Sequence, residues 1–568
     1  MKPWMVCFAL FVCAAAQSVA PAPPQPAEET VKPEDRCIVE GTVVNSRTGE
    51  PLKKAHVNLL RVETKELNPA SLGATTDAAG HFVLEEVNPG KYRLTAQRNG
   101  FANFAYGSRG AGSPGTQLTL TRARKLKDLV LRMIPQGVVT GRAVDEDGEP
   151  LARLQVQFLR PMYMNGRKTL SSNSNAQTDD RGEYRAFGLA PGKYYACAVY
   201  DPSGRMMQTP EIRKESSQEG YAPTFYPNAA SAAQASLVDV ASGAEVSGID
   251  FRLSPVRTFH IAGKVTNLPN AAHGGVVMVM SRDSEILPWN TMKYGMVDDK
   301  GNFLVSNINP GSYTIAAQSY VSGSETQMAY AIVNVADSSV DGVQLSFSAL
   351  PEIAGAVRGE RGVELKDKGM IVSLQPETPT MVMGGGPGQV QDDGTFKVKV
   401  SLPDKYRLAV YPMPEGAWVK SIRLGETDYS KGVIDLSKGV TAGELTIVIA
   451  GNGAQIEGNV RDPKDQPSTS ASVVLIPDER DNHLMYGMAN TDQNGHFTLK
   501  TVMPGKYKLF AFDRVEYGQY EDPDFLKQFD EKGESIEVSA GDKSSKDLKL
   551  IVTDEDLPPE PPAPQPGS

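Results

Sequence analysis

Six histidines, His56, His81, His260, His273, His483 and His496, are the first residues to weigh for chemistry. A hydrolytic zinc centre brings histidine and glutamate onto one metal and leaves a position open. Within one element that arrangement reads H-x-x-E or H-E-x-x-H. None of the six has a glutamate at that spacing, and the four cysteines form no C-x-x-C pair. The G-x-S-x-G elbow of a serine nucleophile and the G-x-x-x-x-G-K loop that cradles phosphates are also missing. Acidic pairs are common on turns, but a general acid needs a buried and perturbed carboxyl, whereas turn acids are solvated. "DEDGEP" at 145 lacks the ligand count of a calcium loop and reads as a solvated hairpin. The inventory predicts no catalytic residue, no metal site and no cofactor.

The residues left for binding are aromatic. Tyr221, Phe225 and Tyr226 lie in one long segment, and Trp289 and Trp418 lie in expected loops. Sugar faces stack on exposed rings of this kind, although rings at domain edges also pack against one another.

The elements that must position these residues come from a repeat. "TDAAGHFVLEEVNPGKYRLTA" (76–96) returns as "TDDRGEYRAFGLAPGKYYACA" (178), "VDDKGNFLVSNINPGSYTIAA" (297), "QDDGTFKVKVSLPDKYRLAV" (391) and "TDQNGHFTLKTVMPGKYKLFA" (491). Turn glycines Gly80, Gly182, Gly301, Gly394 and Gly495 are each followed ten residues later by Gly90, Gly192, Gly311, Asp404 and Gly505. An earlier strand repeats as well, as "VEGTV" (39), "VTGRA" (139), "IAGKV" (261), "IAGAV" (353) and "IEGNV" (456). A period of about 100 residues is far too long for a solenoid unit, so each copy is expected to be a complete domain.

Folding accounts for every residue of the phrase. Asp77, Asp179, Asp298 and Asp492 suit the first position of a type I turn and the glycine its last. Alternation then marks a strand with one buried face. Pro89-Gly90, Pro191-Gly192, Pro310-Gly311 and Pro504-Gly505 suit the centre of a type II turn, and Tyr92, Tyr194, Tyr313, Tyr406 and Tyr507 enter the next strand facing inward. In the fourth copy Asp404 replaces the turn glycine, which leaves its turn open between a strained left-handed aspartate and a different turn. The glycine inside "VEGTV" shares a face with Val39 and Val43, and the turn tyrosine is the expected cover for the missing side chain.

The whole chain sets the frame. With 568 residues it exceeds one core, and its net charge of −10 argues against a nucleic-acid partner. "MKPWMVCFALFVCAAAQSVA" reads as a secretory signal with cleavage after Ala16, followed by a proline-rich linker over 17–36. A second proline-rich segment, 554–568, reads as a disordered tail, and no apolar run after the signal is long enough to span a membrane. The expected address is extracytoplasmic: periplasm, cell envelope or medium. Expected domains are 37–135, 137–256 (with an insertion), 258–350, 352–451 and 454–553. Cys37 opens the first and Cys197 lies deep in the second; an end-to-end array points the entry of the first domain away from the second and argues against a bridge, while the sequence leaves the pairing open.

The stretch from "GTVVNSRTGEPLKKAHVNL" through "TDAAGHFVLEEVNPGKYRLTAQRNGF" resembles the carboxypeptidase regulatory-like domain. That resemblance implies an all-β chain of five prealbumin-like, Ig-like sandwiches with a carbohydrate-binding-like fold. It also implies the tandem arrays found in exported bacterial proteins. A related sandwich family, the B-type repeats of collagen adhesins, forms lysine–asparagine bonds helped by a glutamate in a Tyr-x-Leu-x-Glu pattern. Here Ala96, Ala317 and Ala511 stand at that place, so no self-crosslinking is expected. The function expected is a non-enzymatic scaffold or adhesive protein of the cell envelope that binds a protein or glycan partner. The alternative is a carbohydrate-binding array.

Overall fold

A computed structural model describes residues 32–62, 71–108, 115–200, 219–267, 275–287, 291–318, 327–360, 362–365, 369–379, 385–440 and 443–553. The signal, most of the first linker, the C-terminal tail and Trp289 lie outside the described residues. Strands dominate; one α-helix, Pro523–Lys527, and four short 3-10 turns are present among the described residues. Among the described residues, five large apolar cores span Cys37–Met133, Val139–Leu253, Phe259–Phe347, Ile353–Ile449 and Ala454–Leu550, with three smaller clusters beside them. The chain is a tandem array of β-sandwiches.

One topology recurs. In the first domain Cys37–Asn45 pairs antiparallel with His81–Val87 on one side and parallel with Lys125–Met133 on the other. The facing sheet pairs His56–Arg61 with Ser71–Thr75 and with Gly90–Gln97. The third, fourth and fifth copies repeat the first sheet. The second does so with a two-residue closing strand, Phe251–Arg252.

The first turn of the phrase forms as its residues dictate. Asp77 Oδ1 accepts from the Ala79 and His81 amides while Gly80 N donates to Asp77 O, and Gly80 has φ +73°. The copies at Asp179, Asp298 and Asp492 make the same bonds, and Gly394 closes on Gln391.

Two details differ from the sequence reading. Gly90, Gly192, Gly311 and Gly505 open their strands at φ +157°, +140°, +156° and +159°, more extended than the second centre of a type II turn. These angles lie in a region open essentially to glycine alone, so the glycine is still required. The cover over the strand glycine is also different. At Gly41, Gly141, Gly263, Gly355 and Gly458 a Cβ would collide with a carbonyl of the adjacent chain, those of Leu129, Ile249, Val343, Leu445 and Lys546. In the last four the ring two residues beyond the turn glycine also closes in: Tyr184, Phe303, Phe396 and Phe497. The glycine therefore exists for a backbone approach, and the turn tyrosine has another task.

That task is to close its own turn. The hydroxyls of Tyr92, Tyr194, Tyr313, Tyr406 and Tyr507 donate to the carbonyls of Asn88, Ala190, Asn309, Leu402 and Met503, each four residues earlier. Burial raises the hydroxyl pKa of all five, pushing Tyr313 up to about 12.

Asp404 settles into an ordinary turn. It is absent from the positive-φ residues, and its carboxylate accepts from the Thr378 and Lys405 amides. Asp404→Gly therefore loses two bonds and adds unfolded-state freedom, for a cost of about 1–2 kcal/mol. Urea unfolding followed by exchange of the fourth domain's amides should show a lower midpoint for the glycine variant.

Candidate functional site

The aromatic candidates are dispersed. Phe225 is 4% exposed and meets Tyr195 edge-on at 6.4 Å, so its face is already used. Tyr221 packs against Tyr200 and Tyr226 against Phe251, with both half-buried at the edge of the second core. Trp418, in the fourth domain, is half-buried and its indole N–H donates to Asn452 Oδ1 at 3.3 Å. No pair of these rings forms a platform among the described residues. No group of three or more His, Cys, Asp or Glu suited to a metal is present among the described residues either. Cys37 and Cys197 are free, buried thiols in different cores, and burial raises the pKa of both.

The sandwiches do not run simply end to end. Ile286 of the third domain inserts beside Leu159, Leu170, Cys197 and Phe225 on the outer face of the second, and Leu287 N donates to Leu170 O. Leu402 of the fourth joins Met280, Met292, Ala316 and Met328 on the outer face of the third. The fifth domain reaches back as far as the first, where Gln493 Oε1 accepts from the Thr119 amide at 3.2 Å beside a bridge between Gln117 and Asp492. The physical cause is apolar surface on outer sheet faces, which alternation in a one-sided strand does not explain. "SVVLIP" (472–477) is buried at all six positions, but there the outer residues Val474 and Ile476 are covered from within the fifth domain, by Phe510, Phe512, Tyr520 and Leu526.

Buried charge collects at a junction of three domains. Arg407 lies on the fourth domain's tyrosine strand, and its side chain is 15% exposed. Its Nη1 donates to Glu521 Oε2 of the fifth domain at 2.7 Å, while Nε lies 3.5 Å from Glu377 Oε1. His483 Nδ1 stands 3.4 Å from the same Glu521 oxygen, and the His483 ring stacks on Tyr486. The second domain completes the site: Asn165 Nδ2 donates to Glu377 O, and Gly166 faces Glu521 closely enough that a Cβ there would lie 3.2 Å from the Glu521 Cβ. Burial alone would raise the Glu521 carboxyl, but hydrogen bonds and charge from His483 and Arg407 outweigh it and hold the group low. Glu521 belongs to the 3-10 turn Gln519–Glu521, which leads into the helix Pro523–Lys527 capped by Asp522. This segment interrupts the repeat grammar, and that interruption was the available signal for it.

The carboxypeptidase regulatory-like domain family matches residues 38–127, within the first sandwich. No curated protein matches the chain. Among solved structures, the minor pilin GBS52 of Streptococcus agalactiae is 16% identical, with 39% of this chain and 97% of that one covered and a TM-score of 0.21. The Bacillus anthracis TIE protein is 11% identical over 75% of each chain, at a TM-score of 0.16. BcpA, the major pilin subunit of Bacillus cereus, is 11% identical over 55% of this chain and 100% of its own, at 0.14. No helix among the described residues is long and apolar enough to cross a membrane.

Proposed function

We propose that this chain is a non-enzymatic, extracytoplasmic scaffold or adhesive binding protein whose sandwiches are fastened into one load-sharing assembly. The observation that supports it is the junction around Arg407, where side chains of the fourth and fifth domains interlock and the Asn165 side chain of the second donates to backbone of the fourth. A string of independently swinging modules has no use for a guanidinium buried between two carboxylates of different domains. The regulatory-like match of the first sandwich and the signal-like leader agree with this reading.

The junction gives a test with a definite sign. A carboxylate whose folded pKa is lowered contributes stability that is fully present above its ordinary value. That contribution is lost as pH falls through the lower folded value. Cohesion between the fourth and fifth domains should therefore hold from neutrality down to the ordinary glutamate value of 4.5 and weaken below it. Arg407→Ala leaves Glu377 and Glu521 as facing like charges, and at neutral pH should cost about 2 kcal/mol, discounted for partial exposure. Calorimetry of the full chain should show the two domains melting together in the native protein and separately in Arg407→Ala. Identical traces for both would remove the support for a fastened assembly.

A further inference from the structure

A cleft of about 680 Å³ lies between the first two domains, formed by the 97–103 loop, the Gln136–Val138 connection and the strand Glu183–Leu189. At its rim stands Phe187, 70% exposed. The repeat supplies its own comparison. Five residues after the turn glycine the other copies carry Glu85, Ser306, Lys399 and Lys500, all polar, so the fold does not require a ring there. Gly188, at φ +80°, sits in a bulge between Phe187 and Leu189, and Phe187 shares the strand's outward face with Arg185. Across the cleft is Phe101, with the Arg98 guanidinium 5.2 Å from its ring centre.

The remaining lining is amide-rich, including Asn99 and Asn103, and contains no carboxylate. On a chain of net charge −10, a cleft with two arginines and no acid is locally cationic. Rings bind the C–H faces of pyranoses, amides pair with vicinal hydroxyls, and guanidinium takes a carboxylate in a bidentate fork. A peptide partner would use a deep apolar pocket or add along a sheet edge, and Glu183–Leu189 is an edge strand, so an acidic peptide is the competitor that the test must reject.

We infer that this cleft binds an acidic oligosaccharide, a uronic-acid chain stacked on Phe187 with its carboxylates on Arg185 and Arg98. The inference deepens the reading of the chain as a binding protein. Its failure would leave the Arg407 junction untouched, so the two can fail separately.

The test is calorimetric titration of the full exported chain with polygalacturonate hexamers, neutral glucan hexamers and an acidic hexapeptide. Phe187→Ser, the residue of the third copy, removes the ring at an exposed position without touching a core. Arg185→Gln removes one charge. The native chain should bind the polyuronate, and each variant should weaken it about tenfold, the scale of one lost charge-assisted bond or stacked ring. Thermal melting of both variants should stay at the native value. Absence of polyuronate binding would overturn the inference, as would equal binding of the neutral glucan, full binding by Phe187→Ser, or preference for the peptide.

Discussion

Gly41→Val is expected to unfold the first domain outright. Gly41 pairs with Leu129 in the parallel ladder, and any Cβ built on it falls inside the Leu129 carbonyl. The clash is with backbone rather than with the end of a flexible side chain, so relief requires the closing strand Lys125–Met133 to move. That strand contributes Leu126, Leu129, Leu131 and Met133 to the core. Losing its seat removes a whole wall of the sandwich, so the cost should exceed about 4 kcal/mol, at the extreme of single substitutions. Hydrogen exchange on the full chain should show the amides of Cys37–Asn45 exchanging rapidly while those of the third and fourth domains keep their protection. Native-like protection of Cys37–Asn45 in the variant would show that the approach of the two strands is not required.

Tyr92→Ala is the second large effect. Tyr92 is 4% exposed in the first core and its hydroxyl ties down Asn88 O at 2.8 Å. Emptying the site should cost about 3 kcal/mol, the usual scale for a large aromatic removed from a core. Tyr92→Phe keeps the ring and loses only the bond, so about 1 kcal/mol is expected. The ratio is the informative quantity: packing should account for most of the effect and the turn tie for the rest. If both variants melted like the native chain yet lost binding to a ligand, the phrase would be a site and not a fold device.

How much of this was legible in the sequence follows from which interactions are local. The Asp-to-Gly turn and the inward tyrosine are settled within a dozen residues, and both were readable. The strand glycine was readable as a missing side chain, but its partner was not. Leu129 lies far along the chain, and a carbonyl leaves no mark in a residue pattern. Asp404 signalled a departure without its direction, because only the folded chain shows its ordinary φ and its amide partners Thr378 and Lys405. The contacts between domains were the least legible. Arg407, Glu377, His483 and Glu521 come from separate loops and strands, and each alone looks like a solvated charge. Phe187 could have been found by aligning the copies and asking which outward position breaks its own rule.

The central claim is that the repeated phrase builds sandwiches which close on one another, with the fifth domain returning to the first. The direct measurement is crosslinking of Gln117→Cys/Gln493→Cys in the dilute full chain with a short-spacer bis-maleimide, read by peptide mass spectrometry. Of the four native cysteines, Cys37 and Cys197 are buried, and Cys7 and Cys13 are replaced by serine for the experiment. The account predicts an intramolecular link between the peptides carrying positions 117 and 493, suppressed by Arg407→Ala together with Glu521→Ala. Single adducts alone on the otherwise native chain would contradict it and return the protein to an open string of independent sandwiches.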